Sequence, residues 1–251
     1  MTIGIIGEGA IGSYVRAHLS GVSVALVRPA RAGPGRVTSA EALPGEVTLM
    51  LDCAGHAALA EHGPTILARG IDLVTVSLGA LADDALHDRL REAARRGGAR
   101  LHLASGAIGA LDCLAAARVG GLERVTYTGR KPPAGWRGSP AEDALDLDRL
   151  DAPATHFEGT ARAAALAYPK NANVAAAVAL AGAGFDATQV RLIADPEAPG
   201  NVHEIAAEGA FGRFDFRIEG RALPDNPRSA ALAAMSVVAT VLRQRAPVAI
   251  G

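Results

Sequence analysis

The chain has 251 residues, 49% hydrophobic and 4% aromatic, with 25 basic and 26 acidic side chains. That length suits one large domain or two small ones. The balanced charge, with no long basic run, excludes nucleic acid and anionic membranes as expected partners, and no apolar stretch approaches the roughly 20 residues of a membrane span. No basic leader or cleavage site precedes the first apolar run. Cys53 and Cys113 both lie in apolar segments, read as buried thiols, and a cytoplasmic location is expected. Neither belongs to a metal-ligand spacing, so no metal is expected.

The first dozen residues carry the strongest signal. An apolar run, Thr2–Ile6, leads into Gly7-Glu8-Gly9-Ala10-Ile11-Gly12 and then a helix-compatible segment. This is G-x-G-x-x-G between a strand and a helix, the context in which the motif binds a dinucleotide. Gly7 allows the turn, Gly9 lets backbone approach a pyrophosphate and Gly12 lets helix and strand pack closely. The helix N-terminus, with Ala10 and Ile11, offers unpaired N–H groups to the phosphates. Val22–Val27 reads as the second strand and ends at Arg28, with Arg31 close behind. NAD-selective chains carry an acid near this point. Two arginines there instead suit a 2′-phosphate, so the cofactor expected is NAD or NADP, with NADP accepted.

Val47–Leu51, Asp72–Val76 and Arg100–Leu103 read as further strands, and Ala57–Arg69 and Asp83–Arg96 as helices. His56 reads better as a helix-start residue than as a ribose contact. The alternation predicts a parallel doubly wound sheet. Small-residue turns at Cys53–Gly55, Ser77–Ala80 and Ser105–Ala107 fall at the carboxyl ends of its strands, where such sheets bind ligands.

The pattern changes after Ile108. A helix over Ile108–Val119 precedes a strand over Leu122–Thr128, which runs into Arg130-Lys131-Pro132-Pro133. The Pro- and Asp-rich stretch from Ala134 to Ala154, holding the one Trp, reads as a lid-like excursion. Gly159–Ala167 and Val174–Gly182 read as helices. Gln189–Ala194, Asn201–Glu208 and Gly212–Glu219 read as antiparallel neighbours joined by short turns. A last helix is predicted over Pro227–Arg243, capped by Asn226. The fold class is therefore α/β: a Rossmann-type domain over 1–107, an α+β domain with a largely antiparallel sheet over 108–225 for substrate and dimerisation, and a C-terminal helix over 226–251 returning to the first domain.

The two lysines, Lys131 and Lys170, and two of the four asparagines, Asn171 and Asn173, fall in short second-domain motifs. If Lys131, Lys170 and His203 meet, the site suits a small anionic substrate: ammonium groups neutralise carboxylates, and an imidazole exchanges a proton near neutral pH. An outward-facing strand histidine is the alternative reading of His203.

At these residues the chain resembles the L-aspartate dehydrogenase family. The resemblance rests on Gly7–Gly12, Val76–Asp83, Ser105–Gly109, Arg130–Pro133 with Trp136–Gly138, and Phe157–Gly159. It rests most specifically on Tyr168-Pro169-Lys170-Asn171-Ala172-Asn173-Val174-Ala175 followed by Asn201-Val202-His203-Glu204, with Asn226–Ser229 completing the set. It implies NAD(P)-dependent oxidative deamination of L-aspartate to iminoaspartate, which hydrolyses to oxaloacetate and ammonia or feeds NAD biosynthesis through quinolinate. It also implies that His203 is the catalytic histidine, that Ala107 and Asn173 contact the cofactor beside the glycine loop, and that a homodimer is plausible. Substrate carboxylate binding by Lys131, Lys170 and Asn171 is expected from charge and motif. Alternatives are a related two-domain reductase, such as a homoserine dehydrogenase or dihydrodipicolinate reductase, or a non-catalytic nicotinamide-binding sensor. Glu8 departs from the small or neutral residues of the family, and its carboxylate is expected to point away from the phosphates it would repel.

Overall fold

The structure, a computed structural model, describes residues 1–223 and 226–248, with the backbone alone described at 226–229. The chain divides into two compact units, Met1–Gly106 with the segment from Ala233 onward, and Ala107–Leu232.

In the first unit, β1 (Thr2–Ile6), α1 (Ala10–His18), β2 (Val22–Leu26), β3 (Arg36–Val37), β4 (Val47–Asp52), α2 (His56–Ala68), β5 (Asp72–Thr75), α3 (Asp84–Gly97) and β6 (Leu101–Leu103) follow one another. The six strands form a sheet in the order β3-β2-β1-β4-β5-β6, and each observed pairing is parallel. Such strands are covered on both faces, which is why β1 reads Thr-Ile-Gly-Ile-Ile with four buried residues in a row. The strand order reverses between β1 and β4, so the crevice at their carboxyl ends is the place for a dinucleotide. Helix α3 shows how local chemistry sets element ends. Asp83 accepts from the N–H groups of Ala85 and Leu86 at its start, and Gly98 takes the left-handed conformation at its end.

The second unit contains α4 (Leu111–Gly120), β7 (Leu122–Lys131), α5 (Ala141–Ala144), β8 (Ala154–Thr160), α6 (Ala161–Ala167), α7 (Asn173–Ala181), β9 (Gln189–Ala194), β10 (Asn201–Gly209) and β11 (Gly212–Gly220), then β12 (Ala222–Leu223) and β13 (Asn226–Ala230) as a short antiparallel pair. The five-stranded sheet runs β11-β10-β7-β9-β8. Strand β10 pairs antiparallel with β11 and β7, whereas β9 pairs parallel with β7. Of the three late strands, β10 and β11 are the antiparallel neighbours expected, whereas β9 lies on the far side of β7, which inserts between β9 and β10. β8, unread in the sequence, closes the sheet against β9.

Three further expectations change here. Trp136 is fully buried and donates its indole N–H to the Ile193 carbonyl at 3.0 Å, so the Pro-rich stretch is anchored there and does not form a free lid. The last helix, α8 (Ala231–Arg245), starts later than predicted. Asn226–Ala230 is extended because its backbone pairs with β12, and the residue before Pro227 favours that conformation in any case. Helix α8 returns to the first unit, where Val237 and Val241 pack in one core with Ile3, Ile5, Val15, Leu49 and Val74. Cys113, expected to be buried, is exposed on α4, whose buried face is formed by Leu114 and Ala117.

Candidate cofactor cradle and active site

Strand β1 stops at Ile6 and the chain turns at Gly7, whose φ of +83° is costly for any residue with a Cβ. A Cβ at Gly12 would lie 2.3 Å from the Gly7 carbonyl oxygen, so helix and turn close on each other as the motif requires. Gly9 differs: nothing lies within 4 Å of the place its Cβ would take. It stands at the N-cap of α1 with no side-chain cap, ahead of Ala10 and Ile11. Open space in front of uncapped helix N–H groups is what a pyrophosphate needs. The residues present therefore fit a dinucleotide.

Beside this loop lies a cavity of about 330 Å³ lined by Glu8, Gly12, Ser13, Arg16, Arg31 and Arg36. The Glu8 carboxylate accepts from Arg36 at 2.8 Å and from Arg16 at 3.3 Å. Its charge is thus taken up by guanidinium groups. Arg31 lines the cavity, whereas Arg28 is exposed at the start of the short turn Pro29–Arg31 and does not line it. His56 is the first residue of α2, the helix-start role read for it.

A polar knot that the sequence reading did not find ties the ends of β4 and β5. The buried Asp52 carboxylate accepts from Thr75 Oγ1 at 2.8 Å, Ser77 Oγ at 2.6 Å and the Ala54 N–H at 3.0 Å. Burial pushes its pKa up, and these hydrogen bonds oppose the rise. The signal was present as one carboxylate ending a buried apolar strand and two hydroxyls ending the next.

The second unit assembles a separate cluster on the helix-facing side of its sheet. In β7, Val125, Tyr127, Gly129 and Lys131 are the buried alternate residues. Across the antiparallel ladder Gly129 is opposite His203 and Tyr127 is opposite Ile205, so these side chains share that face. The Tyr127 hydroxyl lies 2.8 Å from His203 Nδ1. Lys131 Nζ donates to Asn171 Oδ1 at 2.7 Å and stands 4.9 Å above the Trp136 ring. His156 packs edge-on against Trp136 with centroids 4.3 Å apart, and its Nδ1 lies 3.2 Å from the Tyr168 hydroxyl. Its Nε2 is buried without a partner among the described residues.

Electrostatics follow from burial. Lys131 is 9% exposed, and desolvation brings its pKa down to about 8. His203 is held down at about 4, first by burial and then by the Lys131 charge, and His156 likewise at about 4. The Tyr127 phenol is pushed upward by burial alone. The cluster at neutral pH is thus one ammonium among neutral imidazoles, phenols and an amide, a setting for a small anion. Lys131 donates to Asn171 and its charge acts on His203, so of the three groups that the charge argument joined, Lys131 and His203 share this cluster and Lys170 does not. Lys170 is exposed in the turn before α7 and makes no hydrogen bond or ion pair with them among the described residues. Asn173 is the first residue of α7, and Ala107 is buried next to Ile108. Tyr127 and His156 were missed, and Trp136 and Tyr168 stood in the motifs without a role. The alternation Tyr127-Gly129-Lys131 was the available signal, since it places Tyr127 on the face that holds the lysine.

A family model described as aspartate dehydrogenase, C-terminal, matches residues 112–244, which contain this whole cluster. The chain belongs to the aspartate dehydrogenase family. A model described as homoserine dehydrogenase, NAD binding domain, matches residues 7–104, so the first unit binds a nicotinamide dinucleotide. An L-aspartate dehydrogenase of Ruegeria pomeroyi is 60% identical over 97% of this chain and 92% of its own length. One of Pseudomonas aeruginosa is 53% identical over 82% of this chain and 77% of its own. The crystal structure of aspartate dehydrogenase from Thermotoga maritima superposes with a TM-score of 0.78 at 27% identity, covering 100% of this chain and 99% of that one. As a member of the aspartate dehydrogenase family the chain is an oxidoreductase acting on a small molecule. Among the described residues no helix is long and apolar enough to cross a membrane.

Proposed function

We propose how this aspartate dehydrogenase divides the work of NAD(P)-dependent L-aspartate oxidation among its own residues. The observation that carries the reading is the convergence of Lys131, Asn171 and His203, from β7, the turn before α7 and β10, in one cluster whose single buried cation is Lys131. Lys131 holds a substrate carboxylate, and Asn171 fixes the ammonium from behind while adding amide hydrogen bonds of its own. Lys170, exposed on the same turn, adds long-range attraction for the dianion. His203 contacts the reacting end of the substrate and serves proton transfer at the amine or imine nitrogen, or at the water that hydrolyses the imine. A bound nicotinamide supplies the hydride acceptor. Loss of hydride from Cα and of one proton from nitrogen leaves iminoaspartate, which hydrolyses to oxaloacetate and ammonia or passes to quinolinate formation. Gly7, Gly9, Ala10, Ile11 and Gly12 hold the pyrophosphate, and Ala107 and Asn173 contact the remainder of the cofactor.

NADP is accepted as well as NAD. No acid ends β2, and the guanidinium groups around Glu8 suit a 2′-phosphate. Arg31 and Arg36, which line that cavity, are better placed for it than Arg28. A homodimer is the proposed assembly, with the sheet face bearing the half-buried Thr126, Thr128 and Ala206 as its natural surface, and the free thiols Cys53 and Cys113 suit a cytoplasmic setting.

Steady-state reduction of NAD and NADP with L-aspartate and a panel of other amino acids tests the reading. Turnover restricted to aspartate, with KM raised by Lys131→Met and kcat lowered by His203→Ala at unchanged cofactor affinity, is the expected result. Tight cofactor binding with no turnover of any amino acid would identify a sensor instead.

A further inference from the structure

The Tyr127 hydroxyl is buried, and His203 Nδ1 is its one hydrogen-bond partner among the described residues. A phenol carries one proton, and a buried hydroxyl with a single partner has to spend that proton on it. Oη–H therefore donates and Nδ1 accepts. A neutral imidazole that accepts at Nδ1 carries its own proton on Nε2. Among the described residues nothing bonds Nε2, so it is the ring atom left to meet a ligand.

The backbone is shaped for this contact. Tyr127 and His203 are not opposite one another in the ladder; Gly129 is opposite His203. The phenol ring reaches the imidazole across Gly129, where a Cβ would stand 2.7 Å from the hydroxyl and 3.2 Å from the ring carbon bearing it. A side chain at 129 would occupy the path, so the glycine is required by its emptiness and not by its φ.

We infer that Tyr127 is a positioning residue that locks His203 as the Nε2–H tautomer, so that His203 meets the substrate as a neutral hydrogen-bond donor and not as a proton-accepting base. This rests on the proposal that His203 contacts the substrate. It narrows the roles open to that histidine. Nε2–H steadies a carboxylate oxygen or the imine nitrogen, and the proton lost from the amine goes to another acceptor, such as solvent. The buried, electropositive setting supports the neutral ring, since Lys131 is the charged group that acts on it.

The test is nitrogen NMR of enzyme labelled in histidine. In the wild-type protein at neutral pH, the His203 signals, assigned by their absence in His203→Ala, are expected at an unprotonated Nδ1 and a protonated Nε2. A protonated Nδ1, or a doubly protonated ring, would overturn the inference whatever the kinetics show. In Tyr127→Phe the tautomers should mix and kcat should fall about tenfold, as for loss of one hydrogen bond, with cofactor Kd unchanged. Gly129→Ala, which crowds the hydroxyl without removing it, should do the same. A Tyr127→Phe enzyme with wild-type kcat and an unchanged tautomer would refute the positioning role. Failure of the underlying reading looks different: His203→Ala would turn over normally, while the wild-type tautomer could still be Nε2–H.

Discussion

In the proposed function Lys131 is the residue on which substrate binding turns. Its ammonium is buried, donates to Asn171 and faces an aromatic ring, and desolvation brings its pKa down to about 8. Below that pH it is charged and attracts a dianion; above it the charge is lost. The inhibition constant of succinate, which has no amine to titrate and is a dianion at neutral pH, should be flat between about pH 7 and 8 and then rise toward tenfold per pH unit. A flat profile to pH 10 would show that another group holds the carboxylate. Glu8 makes a second test. Its carboxylate occupies Arg16 and Arg36, two of the guanidinium groups proposed for a 2′-phosphate. Glu8→Gln should therefore tighten NADP by about tenfold in direct titration while changing NAD much less, one charge-assisted contact being of that size. Equal effects on both cofactors would separate Glu8 from the phosphate.

At the scale of elements, the segment between β7 and β8 is held by one indole. Trp136 fills the space under the Ile193 carbonyl, and Tyr168 and His156 pack against it edge-on. Trp136→Ala should cost about 3–5 kcal/mol in urea unfolding, as for other buried aromatics. Trp136→Phe keeps most of the volume but strands the carbonyl, and should cost about 1–3 kcal/mol. Loss below about 1 kcal/mol in both would mean the segment is not anchored there. These elements also mark where sequence reading stopped short. β1, β4 and β5 were legible because buried parallel strands are largely apolar runs ended by small-residue turns. β8 was not, because Ala-Thr-His-Phe-Glu-Gly-Thr mixes polar and apolar residues without alternation, and becomes a strand through its pairing with β9. The start of α8 was misread because Asn-Pro at 226–227 is a good local helix signal that the pairing with β12 overrides.

For the whole molecule, the buried His203 and the half-buried His156 contribute to the acid limit. His156 and His203 have folded pKa values near 4 against an ordinary value of 6.5, so the unfolded chain binds protons first as pH falls. Their contribution to stability is complete above about pH 6.5 and is lost progressively down to about pH 4. The urea midpoint should fall across that window, and His156→Gln should flatten the fall. An unaltered slope would assign the loss to carboxylates. The C-terminal helix belongs to the same scale, since Val237 and Val241 complete a core begun by Ile3 and Ile5.

Taken alone, the sequence determined the nucleotide-binding unit, the glycine loop, the α/β class and, through its second-domain motifs, the family. Each of these is written in a local pattern: an apolar run, a glycine spacing, a short string of residue types. The tertiary structure decided which charged and polar groups meet. Tyr127 and His203 are 76 residues apart, and Lys131 and Asn171 are 40 apart. Glu8 and Arg36 are 28 apart. Such pairs are created by strand register and helix packing, and register depends on the whole set of buried faces being satisfied together. No window of sequence contains that condition, which is why the lysine and the histidine could be named beforehand and the bond between the tyrosine and that histidine could not.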